Sequence, residues 1–221
     1  MTLRRIILLR HGQTDYNVDG RMQGHLDSHL TPTGHEQAAV AAPVLAELAP
    51  DRLISSDLRR AVDTAEVVGA ACGLPVKYDP RLRETHLGRW QGHTVAEINR
   101  EYPGAIAAWR SDPGWAPPEG ESRVAVVARS RPVVDELDAE LADFDDRSET
   151  VLLVAHGGLI AGLVTGLMDL PTSVWPSFGG FSASIEAWPS SARFTDVSSK
   201  DDPVVFHVTE FSNCIPNTPA N

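Results

Sequence analysis

Val151-Leu152-Leu153-Val154-Ala155-His156-Gly157-Gly158 opens VLLVAHGGLIAGLVTGLM (151–168), the longest run of the chain without formal charge. Its eighteen residues reach the length of a membrane span. The His156-Gly157-Gly158 interruption divides it instead into a strand-like first half and a helix-like second half, about 159–168. The first half is apolar at every position rather than at alternate ones. That pattern predicts a central parallel strand over Thr150–Ala155, covered on both faces.

Outward from this strand, apolar runs alternate with helix-period segments. Ile6–Leu9 reads as a buried strand, Leu53-Ile54 as a second, Val76–Tyr78 as a third. Thr31 caps a helix with Pro32 at its first position. Ala38, Ala41, Ala42, Leu45 and Leu48 line its inner face, and Pro43 within it predicts a kink or early break, because an interior proline costs about 3 kcal/mol. Asp57–Cys72 reads as a helix ended by Gly73, with Leu58, Ala61, Ala65 and Val68 facing inward. A short helix is expected over Val95–Trp109, and Ser122 caps another that runs to about Leu141. Val204–Val208 is expected as a last edge strand, and the tail 213–221 as disordered. Alternation of this kind predicts one α/β domain over 1–221 with a mostly parallel central sheet between helical layers, and residues 80–122, rich in Gly, Pro and Trp, as an insertion covering the substrate.

The composition narrows the function. The chain has 221 residues, 19 Lys+Arg against 30 Asp+Glu, a formal charge of −11, and two cysteines, Cys72 and Cys214. Two cysteines exclude a disulfide scaffold, and the acidic balance argues against nucleic acid or an anionic membrane as partner. Ile6–Leu9 is too short for the core of a leader sequence, so a cytoplasmic protein is expected. A small anionic substrate is compatible with this charge if arginines cluster around it.

Such a cluster is readable. Two buried strands end alike, in Arg10-His11-Gly12 and in His156-Gly157-Gly158. Ligands of parallel sheets gather at the carboxyl ends of the strands, so both histidines should open on one rim. Ser55-Ser56 ends the second strand, and Asp57-Leu58-Arg59-Arg60 starts its helix, where free N–H groups suit an anion. Two arginines and two histidines would form a small cationic well, whose natural guest is phosphate. His25 and His29 lie in a loop, not on one helical face, and are not expected to hold a metal. His86 and His93 are candidates to reach substrate. Trp90, Trp109 and Trp115 are expected to pack.

Arg10-His11-Gly12-Gln13-Thr14 with Asn17, Ser56-Asp57-Leu58-Arg59-Arg60-Ala61, Leu82-Arg83-Glu84 with Gly88, and His156-Gly157 together resemble the histidine phosphatase superfamily, the phosphoglycerate-mutase-like group. The matches run in order from about Leu8 to Gly180. The resemblance implies a three-layer α/β/α fold and hydrolysis of a phosphomonoester through a phosphohistidine. It implies His11 as nucleophile, Arg10, Arg60, His156 and Gly157 around the phosphate, further phosphate contacts from Asn17 and Gln23, and Glu84 as general acid. It also implies no metal, no cofactor, and a homodimer. The stretches RMQGHLD, RLRETHLGRWQG, GESRVAVVARSRP and WPSFGG extend the resemblance to a subgroup that removes phosphate from a glucosylated 3-phosphoglycerate. The alternatives are a broad-specificity phosphatase, a cofactor-dependent phosphoglycerate mutase, and a catalytically weak binding module. Against the mutase, Leu87 stands where mutases carry Tyr, and no Lys follows.

Overall fold

The run 151–155 does lie inside the sheet. In the computed structural model, which describes residues 5–142, 149–178, 192–197 and 206–212, strand β4 (Thr150–Ala155) is buried at every position. It pairs in parallel with β1 (Arg5–Arg10) on one side and with β2 (Arg52–Ser55) on the other. β3 (Val76–Tyr78) adds to β2, also in parallel. β6 (Phe206–Ser212) runs antiparallel to β1, and β5 (Ala192–Val197) closes the far edge, giving the order β3-β2-β4-β1-β6-β5.

Side chains alternate across the strands and sort into two cores. Ile6, Leu8, Ile54, Val151, Leu153 and Ala155 face α6 (Arg123–Ala142) and α7 (Gly157–Leu167). Ile7, Leu9, Leu53, Leu152 and Val154 face α2 (Pro32–Glu47) and α3 (Arg59–Cys72). The predicted three layers are therefore present. Each Leu or Ile buried in them contributes about 1.5–3 kcal/mol relative to exposure. No helix of the described residues is long and apolar enough to cross a membrane.

Several boundaries differ from expectation. α2 runs through Pro43 to Glu47 without a break. Pro43 is on the exposed face, where water can take the carbonyl that loses its N–H partner. α3 starts at Arg59, not Asp57, with Leu58 extended as its N-cap, and ends at the left-handed Gly73 as predicted. The helix expected over Val95–Trp109 is two, α4 (Val95–Glu101) and α5 (Ala105–Ser111). Pro103 disfavours helical geometry at Tyr102, and Gly104 takes φ +80°. A strand over 204–208 is corrected to 206–212: it is an inner strand of the antiparallel pair, and β5 beyond it was not foreseen. The tail 213–221 lies outside the described residues.

The segment between β3 and α6 carries a small core of its own. Leu87, Trp90, Ile98 and Ile106 are buried, with Met22, Trp109 and Trp115 against them. Trp90 stacks edge-on to Trp109 at 6.0 Å and tilted to Trp115 at 5.3 Å. The tryptophans pack, as expected, and this cluster forms one wall above the strand ends.

Candidate active site

Strand register places the two histidines. Arg10 pairs with Ala155 across β1 and β4, so the next residues, His11 and His156, emerge at the same level, their rings 5.1 Å apart. Ser55 pairs with Val154, which brings Ser56 beside them. Gly12 follows because a Cβ there would collide with the backbone of Gly34 at the start of α2. Its N–H donates to Thr64 Oγ1 of α3 at 3.2 Å, tying the loop down.

Hydrogen bonds assign the ring tautomers. His11 Nδ1 lies 2.7 Å from Gly12 O, which can only accept, so Nδ1 carries the hydrogen. Nε2 is then the bare nitrogen, and it accepts from Arg60 Nε at 3.2 Å. The same Nε donates to His156 Nδ1 at 3.2 Å, while His156 Nε2 donates to Ser56 Oγ at 2.8 Å. Arg60 is fully buried, its two Nη atoms donating to Gly24 O at 2.8 Å and Leu26 O at 2.9 Å. Burial, before any charge, lowers its pKa to about 10. Burial first, then the charges of Arg60 and Arg10, hold the His11 imidazole well below its usual pKa. For His156 the order is burial, Arg60, His11 and Arg10.

Two buried neutral imidazoles make stability depend on pH. Unfolded, each takes a proton near pH 6.5; folded, neither does until well below. The unfolded chain therefore binds more protons under acid, and these two rings leave stability unchanged above that pH. Below it they remove up to about 1.4 kcal/mol per ring per pH unit. Denaturant midpoints at pH 7.5, 6.5 and 5.5 should fall toward acid, less steeply in His156→Asn. Equal slopes in parent and variant would contradict the assignment.

Glu84 reaches the site from the loop after β3. Its carboxylate accepts from Gly158 N–H at 2.9 Å, Leu159 N–H at 3.0 Å and Thr85 N–H at 2.7 Å. It thereby caps free N–H groups at the N-terminus of α7. A Cβ on Gly158 would sit 2.5 Å from Glu84 Oε1, so only glycine permits this approach. Its carbonyl accepts from His25 Nε2 at 2.7 Å and Arg129 Nη2 at 2.8 Å, and Arg129 is paired to Glu121.

Arg10, His11, Gln23, Arg60, Glu84 and Gly157 line one cavity of about 320 Å³. His156 stands behind it, fully buried. Asn17 does not line the cavity: its amide oxygen accepts from Thr14 N–H and Oγ1 in the capping box of the single turn α1 (Asp15–Val18). Gln23 is at the wall, its Oε1 accepting from Ser28 Oγ at 2.5 Å. The helix N-terminus at the cavity is that of α7, not α3; Asp27 takes the Arg59 N–H at 3.2 Å and Ser56 Oγ the Leu58 N–H at 3.3 Å. His86 packs edge-on to His25, and neither it nor the exposed His93 lines the cavity. Of the far wall, formed by Leu87, Trp109, Arg110 and Arg123, sequence reasoning named Trp109 only as a packing residue and Leu87 only as a departure from the mutases, and assigned none of the four to the site.

A family model described as Histidine phosphatase superfamily (branch 1) matches residues 6–190. The chain is 56% identical over 183 residues to the glucosyl-3-phosphoglycerate phosphatase of Mycobacterium tuberculosis, covering 81% of this chain and 82% of that one. Among solved structures, mycobacterial glucosyl-3-phosphoglycerate phosphatase in complex with VO3 superposes with a TM-score of 0.73 at 55% identity, covering 79% of this chain and 86% of that one. Bacillus stearothermophilus YhfR gives 0.70 at 34% identity, over 77% and 83%.

Proposed function

The chain belongs to the histidine phosphatase superfamily, branch 1, and from that premise we propose that it hydrolyses glucosyl-3-phosphoglycerate to glucosylglycerate and inorganic phosphate. The phosphatase class follows from the family; the substrate rests on the high identity to relatives bearing that name. The single observation that carries the chemistry is the bare Nε2 of His11, neutral and fixed beneath Arg60 and Arg10 in the cavity that Glu84 also lines.

The steps balance on these groups. The Nε2 lone pair of His11 attacks phosphorus, and the bond from phosphorus to the ester oxygen breaks. Arg10 and Arg60 neutralise charge on the equatorial oxygens. The departing oxygen takes the proton of the Glu84 carboxyl. Water then attacks the phosphohistidine, giving its proton to the Glu84 carboxylate, and the phosphorus–nitrogen bond breaks to restore the lone pair. His156 supports the site by accepting from Arg60, and Gln23 and Gly157 lie where they can meet phosphate. The segment 80–122 covers the reacting centre, and the protein acts as a cytoplasmic homodimer without metal.

A substrate panel tests the reading. Glucosyl-3-phosphoglycerate should show kcat/KM at least about tenfold above 3-phosphoglycerate and glucose 6-phosphate, undiminished by chelator, from a species sedimenting at twice 23.9 kDa. Equal values across the panel reject the named substrate. Conversion of 3-phosphoglycerate to its 2-isomer would make the protein a mutase.

A further inference from the structure

The arginines of this acidic chain are mostly paired. Arg21, Arg52, Arg59, Arg81, Arg83, Arg89, Arg129 and Arg131 each meet a carboxylate within 4 Å. Among the described residues, four that line the cavity do not: Arg10, Arg60, Arg110 and Arg123, of which Arg110 is exposed. The first two belong to the phosphate wall. Arg123 belongs to the opposite one, at the first turn of α6, and is 8% exposed.

Its guanidinium is held in place without being neutralised. Nη2 donates to Trp109 O and Arg110 O, both at 2.8 Å, at the end of α5. The ring of Trp109 lies 5.7 Å from its Cζ. Nε and Nη1 donate to no protein acceptor among the described residues, and neither is sealed from the cavity as a buried orphan. Asp112 acts on the charge only through space. Burying a cation without a counter-ion is costly unless a ligand supplies one. Phosphate is met by Arg10 and Arg60, and the lining also carries the apolar Met22, Leu87 and Ala161.

We propose that Arg123 binds the carboxylate of the substrate through Nε and Nη1, with Trp109 and the two α5 carbonyls fixing the fork. This rests on the phosphoglycerate reading, which supplies the second anion. The cavity would select phosphomonoesters that carry a carboxylate over those that do not.

Inhibition of 4-nitrophenyl phosphate hydrolysis by 3-phosphoglycerate and by glycerol 3-phosphate tests it. The two differ in a carboxylate against a hydroxymethyl group. In the parent, 3-phosphoglycerate should have the lower inhibition constant by about thirtyfold, the size of a charge-assisted bond to a carboxylate. In Arg123→Met the ratio should fall below about threefold, and in Arg123→Lys, which keeps charge but loses the fork, it should lie between. The ratio is internal to each variant, so it does not depend on how much folded enzyme is present. A parent ratio near one, or a parent-like ratio in either variant, overturns the proposal. Should Arg123→Met not fold, Arg123→Lys decides. Neither inhibitor carries glucose, so rejection of glucosyl-3-phosphoglycerate as substrate leaves this result standing, and loss of the ratio leaves hydrolysis intact.

Discussion

His11→Ala reduces kcat on every phosphomonoester by about 10⁴-fold or more, the scale on which enzymes lose a nucleophile that works as part of a unit. No neighbour can replace it. His156 is the nearest imidazole, but it is fully buried behind the cavity rather than lining it, and its Nε2 donates to Ser56, so no lone pair faces phosphate. The fold should survive. Arg60 loses one of its acceptors and keeps His156, Gly24 O and Leu26 O. Unlike most buried truncations, this one removes a ring that faces a cavity, so collapse around it is less costly. Acid-labile, alkali-stable label from a ³²P ester should be trapped on the parent and be absent from the variant. A variant within tenfold of the parent, or one that still traps label, refutes a covalent role for this residue.

The rim that carries this chemistry was readable because it depends on strand ends. Buried apolar strands announce themselves, and a His-Gly at the end of each needs no tertiary knowledge to be placed on one edge. Register then did the rest: a single pairing, Arg10 with Ala155, sets both rings level. The far wall was not readable. Arg123 and Trp109 are brought together only by the turn of α5 against α6, and nothing in GESR distinguishes a cavity arginine from a solvated one. Glu84 shows the same limit in reverse. Its place in the chain was clear, but its attachment to α7 was not, because that depends on Gly158 leaving room for a carboxylate from a residue 74 positions away. The early break allowed for at Pro43 does not occur because Pro43 sits on the exposed helix face, and burial of that face is a tertiary property.

Glu84→Gln separates the two halves of the reaction. The amide matches the carboxylate in shape, yet it cannot give up an acid proton or take one from water. It can still accept from Thr85 and Leu159 through one oxygen, whereas its NH2 would face the Gly158 N–H, donor against donor. An alcohol leaving group needs the proton as the phosphorus–oxygen bond breaks, so kcat on glucosyl-3-phosphoglycerate should fall by about 10²–10⁴-fold. Nitrophenolate leaves unprotonated, so phosphorylation of His11 by 4-nitrophenyl phosphate should slow by less than about tenfold. Hydrolysis of the phosphohistidine still lacks its base, and the intermediate should accumulate. Rapid mixing should then show a burst of nitrophenol equal to the enzyme concentration, followed by a slow steady state. Equal losses on both esters with no burst would mean that Glu84 shapes the α7 N-terminus and moves no proton.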